Sequence, residues 1–112
     1  MRIAVPVENG RLALHFGHCR QFAFVDDADV TEGGLSVRLA EPPPHEPGAL
    51  PTWLRGEDVQ VVLAGGMGRR ALELLEQAGI EVIIGAPLET PEELASRYLR
   101  GDLQSGPNAC DH

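Results

Sequence analysis

Two imidazoles and a thiol fall within five consecutive residues, His15-Phe16-Gly17-His18-Cys19. On a helical backbone His18 and Cys19 stand three and four residues after His15 and share its face. Thiolate and imidazole together suit iron–sulfur, copper or zinc chemistry better than magnesium or calcium. Taken singly, each histidine is more ordinary as a backbone hydrogen-bond partner, and the cysteine as a small buried apolar group. Three together point to a metal. A second pair of ligand types stands at Cys110-Asp111-His112. Packing rarely explains such residues at a terminus, where chains fray, and an inert tail is the plain alternative. A tail carrying both can close over a metal held elsewhere. His15, Cys19, Cys110 and His112 would then form a Cys2His2 set that zinc also accepts, although the spacing is that of no standard zinc finger.

The run Gly65-Gly66-Met67-Gly68 lies between a strand-like segment and a helix-like one. Glycines in that position let backbone N–H groups face a ligand at the positive end of the helix, an arrangement that binds phosphates or an anionic metal–sulfide cluster. The Walker and dinucleotide patterns are absent. Met67 offers a soft thioether, though methionine usually packs. The competing reading is a tight turn without a ligand. His45, alone in the proline-rich segment, ranks as an outer ligand only.

These residues need elements to hold them. Ile3 to Val7 reads as a strand covered on both faces. Pro6 argues against full central pairing and places it near the end of a ladder. Glu8-Asn9-Gly10 is a turn. Phe22 to Val25 and the alternating Leu35 to Leu39 form an antiparallel hairpin, the latter half-exposed. The proline-rich stretch from Glu41 to Pro51 is a stiff extended connection. A short helix follows over Pro51 to Arg55, stopped by Gly56. Val59 to Ala64 is a buried strand, and Ala71, Leu74, Leu75 and Ala78 give a helix that ends at Gly79. Ile80 to Ile84 is the last strand. Thr90-Pro91-Glu92-Glu93 opens a helix that runs to Leu99 or Arg100. The order implies a mixed sheet of about five strands, with parallel βα units and flanking helices. In such sheets ligands sit beyond the carboxyl ends of the parallel strands. The turns after Val7, Ala64 and Ile84 should therefore line one edge, with the His15–Cys19 loop leaving from it.

A chain of 112 residues is one domain, here expected over 1–101, with 102–112 a flexible tail carrying Cys110 and His112. Its formal charge of −8 repels phosphate backbones and anionic membranes alike, so neither nucleic acid nor membrane is an expected partner. No apolar run is long enough to cross a bilayer and no leader is visible, which makes the cytosol the expected compartment. A disulfide between the two cysteines is improbable there.

The segments IAVPVENG, HFGHC, PPPHEPG, AGGMGRRA and NACDH together resemble the dinitrogenase iron–molybdenum cofactor-binding family of nitrogenase cofactor carriers and insertion proteins. HFGHC with the final CDH resembles a narrower, stand-alone subgroup. The resemblance spans Arg2 to His112 and implies a ribonuclease-H-like α/β fold. It also implies a carrier that is not an enzyme, binding an iron–molybdenum or related molybdenum/iron–sulfide cluster in assembly or delivery. Carried over by motif, Asn9, His15, Gly17 and the Gly65–Gly68 turn are cofactor-binding positions. His15, His18, Cys19, Cys110 and His112 are the candidate metal ligands. An iron–sulfur carrier ATPase or a cluster acceptor protein is the implied partner.

Three other readings compete. A mononuclear zinc or copper protein would use His15, Cys19, Cys110 and His112. A redox-sensitive regulatory module of a partner ATPase would use the two cysteines as a switch. A two-metal nuclease would need carboxylates clustered at strand ends, for which only Glu8 and Asp26 offer themselves, against an unfavourable net charge.

Overall fold

The computed structural model describes residues 1–13, 16, 20–26, 36–44 and 48–103. Among them are six strands, β1 (Arg2–Glu8), β2 (Arg11–Leu12), β3 (Gln21–Asp26), β4 (Ser36–Ala40), β5 (Val61–Leu63) and β6 (Glu81–Ile83). Three helices accompany them, α1 (Ala49–Gly56), α2 (Arg69–Gln77) and α3 (Pro91–Leu99). The sheet runs β4-β3-β1-β5-β6, with β2 attached to the end of β1. Its β1–β3 and β3–β4 pairs are antiparallel, while β1–β5 and β5–β6 are parallel. It is therefore a mixed α/β sheet, as the order of elements implies.

The sixth strand is the two-residue β2, too short to show as a hydrophobic alternation. Asn9 and Gly10 both take positive φ, 55° and 81°, so the turn folds β2 back on β1 as a two-residue hairpin with Glu8 opposite Arg11. Pro6 stands as expected, near the end of a ladder and without full pairing on both sides. It lies in the central strand, paired in register with Phe22. Its carbonyl accepts from Ala13 N–H at 2.8 Å, so its missing donor also faces away from β3. On that side β5 pairs only with Ile3 and Ala4, and β2 takes over at Val7, so no ladder bond is lost at Pro6.

Alternation along the strands splits the core in two. Ile3, Val5, Val7, Ala23, Val25, Val61 and Leu63 face α3, which contributes Leu94 and Ala95. Ala4, Phe22, Phe24 and Val62 face α1 and α2, which contribute Leu54 and Leu75. On this second face Phe16 packs edge-on against Phe22, and Phe22 against Trp53, with ring centroids 5.6 and 5.5 Å apart.

Local chemistry sets the helix ends. Thr90 accepts from Glu93 N–H at 3.3 Å and its hydroxyl meets the Glu93 carboxylate at 2.8 Å, a capping box before Pro91. Gly79, at φ 81°, closes α2. Helix α1 begins at Ala49, earlier than the proline-rich segment suggests. Pro51 fits its first turn, where no backbone N–H has an intrahelical partner. The outermost strand also departs from expectation: Val37 and Leu39, read as the covered half of β4, are 37% and 55% exposed, because α3 packs over β1 and β3. No helix among the described residues is long and apolar enough to cross a membrane.

Candidate functional site at the loop edge

Strands β1, β5 and β6 run parallel, so the segments after Glu8, Leu63 and Ile83 emerge at one edge of the sheet. Backbone hydrogen bonds tie them together there. Gly65 accepts from Gly85 N–H at 3.1 Å, and Ala64 from Ala86 N–H at 3.1 Å. Leu12 N–H donates to Glu89 at 2.9 Å, binding the first hairpin to the segment after β6. Phe16 N–H, in the second residue of the HFGHC motif, donates to the Gly66 carbonyl at 3.0 Å and ties that residue to the glycine turn.

In the Gly65–Gly68 turn the first three residues are buried and Gly68 is exposed. Met67 is only 1% exposed and belongs to the apolar core with Phe16 and Leu75, so its side chain packs inward. Gly68 is the N-cap of α2, at φ −65° and ψ 152°, and offers no side chain to the first-turn N–H groups of Arg69, Arg70 and Ala71. Space around it is open, since a Cβ built there has nothing within 4 Å. Asn9 is exposed at the tip of the first hairpin, on the same edge.

The charge of α2 is reversed relative to its dipole. Its first turn holds Arg69 and Arg70 and no acid, and no base stands in its last turn. Helix α3 follows the ordinary preference, with Glu92 and Glu93 at its start and Arg97 near its end. An uncapped helix N-terminus flanked by arginines concentrates positive potential that favours an anion.

His15, Gly17, His18, Cys19, His45, Cys110 and His112 lie outside the described residues. Among the described residues no three His, Cys, Asp or Glu side chains gather as a metal site. All four histidines and both cysteines of the chain fall outside the described residues. As residue types, imidazole and thiolate suit soft metals, and backbone N–H groups suit sulfide edges. The sequence names Phe16 and the Arg69-Arg70 pair only inside its motifs and assigns them no role. The signal for the second was present: two arginines directly after a glycine turn, where a helix normally carries acids.

A family model for the dinitrogenase iron-molybdenum cofactor matches residues 1–101. The chain is 27% identical over 107 residues to the uncharacterized protein MJ0580 of Methanocaldococcus jannaschii, covering 93% of this chain and 90% of that one. It is similar to the crystal structure of PH0822, with a TM-score of 0.80 and 31% identity over 97% of this chain and 99% of the other. It is also similar to the apo form of the orange protein from Desulfovibrio gigas, with a TM-score of 0.76 and 26% identity, covering 96% and 93% of the two chains. The sequence match and the shared fold agree along the whole sheet, and the chain belongs to the dinitrogenase iron-molybdenum cofactor family.

Proposed function

We propose that this chain is a non-catalytic carrier for a molybdenum/iron–sulfide cluster, held at the loop edge for assembly or delivery in the cytoplasm. The observation that carries the reading is the Phe16–Gly66 backbone bond, which joins the HFGHC segment to the glycine turn at an uncapped helix start. Backbone N–H groups of Gly65 to Gly68 and the exposed Asn9 would hold sulfide edges. His15, His18 and Cys19, with Gly17 allowing close approach, would hold metal from one side. Cys110 and His112 would close over the cargo from the tail. Met67 belongs to the site as part of the glycine turn, its side chain being committed to the core.

Family membership supports the cargo class, and the apo form known for the orange protein supports a group that comes and goes. The sheet order, with its antiparallel β4-β3-β1 and parallel β1-β5-β6 portions, supports the ribonuclease-H-like reading of the fold. A carrier must also meet a donor or acceptor, and an iron–sulfur carrier ATPase is the partner class that fits.

Loading without oxygen tests the proposal. Protein supplied with iron or molybdate and sulfide should acquire visible charge-transfer absorption, and the Cys19→Ala and Cys110→Ala variants should lose or shift it. Protein that stays colourless under these conditions would overturn the reading.

A further inference from the structure

All nine basic side chains of this chain are arginines. Four are neutralised: Arg2 by Asp26, Arg38 by Glu57, Arg97 by Glu89 and Arg100 by Asp102. Among the described residues Arg11, Arg20, Arg55, Arg69 and Arg70 form no ion pair, and all five are exposed. Their placement is uneven. Arg11 stands opposite Glu8 in the first hairpin. Arg20 directly precedes Gln21, which pairs with Val7 near the end of β1. Arg69 and Arg70 open α2 immediately after the glycine turn. Four of the five thus come from three chain segments on the loop edge, while Arg55 lies in the last turn of α1. On the α2 face of this edge the described acids are the exposed Glu8, opposite Arg11, and the exposed Glu73, four residues after Arg69. Glu89, which Arg97 engages, and the exposed Glu92 and Glu93 open α3 on the other face of the sheet, and the exposed Glu41 follows β4.

A chain of net charge −8 therefore keeps an arginine-rich rim beside one turn, four unpaired arginines against two acids on the α2 face. Like charges without counter-ions repel, and two of them sit on the positive end of a helix dipole. A bound anion reverses both penalties, because each arginine also offers a fork of N–H donors to oxygen or sulfide edges. Neutral or cationic metal species gain nothing from that rim.

We propose that the arginine edge selects cargo by charge: Arg69 and Arg70, supported by Arg11 and Arg20, are specificity-determining residues for a compact, multiply charged metal–sulfide anion. The inference rests on the carrier reading above and goes beyond it by assigning recognition to arginine side chains, to which that reading gives no role.

The test is equilibrium binding of tetrathiomolybdate, followed by its visible absorption, to the full chain from low to moderate salt. Wild type is compared with R69Q/R70Q and with R55Q/R100Q, which removes the same charge at the C-terminal ends of α1 and α3. All substituted residues are exposed, and thermal melts verify folding. Wild-type binding should weaken with salt. R69Q/R70Q should bind about tenfold more weakly at low salt with a shallower salt dependence, and R55Q/R100Q should match wild type. If wild type binds the anion and R69Q/R70Q binds it equally, with the same salt dependence, selection by arginine fails while the carrier reading stands. If wild type binds no tetrathiomolybdate yet takes up zinc, both fail.

Discussion

The backbone N–H of Phe16 and the carbonyl of Gly66 lie 3.0 Å apart in a hydrogen bond across fifty residues of sequence. Phe16 is 2% exposed, so the bond is held from below by a ring packed on Phe22. Phe16, within a motif rich in possible metal ligands, is thereby anchored to the glycine turn.

Anchoring by packing makes Phe16 a stability residue as well as a positioning one. Phe16→Ala should cost about 3–4 kcal/mol through the cavity it leaves, while Phe16→Leu should cost about 1 kcal/mol and retain both the backbone bond and cargo loading. Chemical denaturation followed at Trp53, the single tryptophan, measures both. Loss of loading in a stably folded Phe16→Leu variant would show that the ring itself touches the cargo.

Gly68 offers a sharper separation of stability from binding. Its φ of −65° suits any residue and the space is open, so Gly68→Asp should cap α2 and oppose its arginines, adding about 0.5 kcal/mol. The same carboxylate should weaken anionic cargo. A thermal melt and a loading titration on one preparation should therefore move in opposite directions. A variant that is more stable and loads normally would remove the α2 terminus from the site.

Much of this was legible beforehand, for identifiable reasons. Strand and helix cores follow from burial periodicity, so β1, β3, β5 and all three helices stand where Val, Ile, Phe and Leu repeat at the proper spacing. The Thr90-Pro91-Glu92-Glu93 start was legible because capping is local chemistry. Strand β2 was not, since two residues carry no period; its pairing comes from the positive φ of Asn9 and Gly10. Pro6 was legible because a residue without a backbone donor is kept from a position paired on both sides. Val37 and Leu39 misled because alternation does not reveal how far a covering helix extends. In the site, residue types announced the chemistry, but the Phe16–Gly66 bond is a long-range backbone contact that no motif encodes.

Asp58 holds a left-handed conformation, φ 61°, just past the end of α1, where Val59 N–H returns to Leu54 at 3.1 Å. That position favours glycine. Asp58→Gly should raise stability by about 0.5 kcal/mol, the relief of strain exceeding the added chain entropy. A lower denaturation midpoint would show that the Asp58 side chain contributes more than its backbone costs.

Alkaline pH probes the α3–β6 contact. Burial, and then the hydrogen bond to Glu81 at 2.8 Å, hold the Tyr98 phenol above its ordinary range. A raised folded value means that this contribution is complete below the unfolded value of about 10 and is lost as pH rises through the folded one. Wild type should therefore lose stability above pH about 10 more steeply than Tyr98→Phe. Parallel curves for the two proteins across that range would remove the contact from the stability of the fold.

Arg2 closes the far end of the sheet, donating to Asp26 at 2.9 Å and to the Glu57 carbonyl, with both ion-pair partners about a third exposed. Arg2→Ala should cost about 1–2 kcal/mol and leave cargo loading unchanged, because it lies at the edge opposite the glycine turn. Equilibrium unfolding paired with a loading titration checks both halves; a loading defect in folded protein would place the site elsewhere.

The central claim is most directly tested by metal and acid-labile sulfide analysis of protein purified without oxygen from a host that makes such clusters. The carrier reading requires molybdenum or iron with matching inorganic sulfide. Zinc alone without sulfide, or no metal at all, would contradict it.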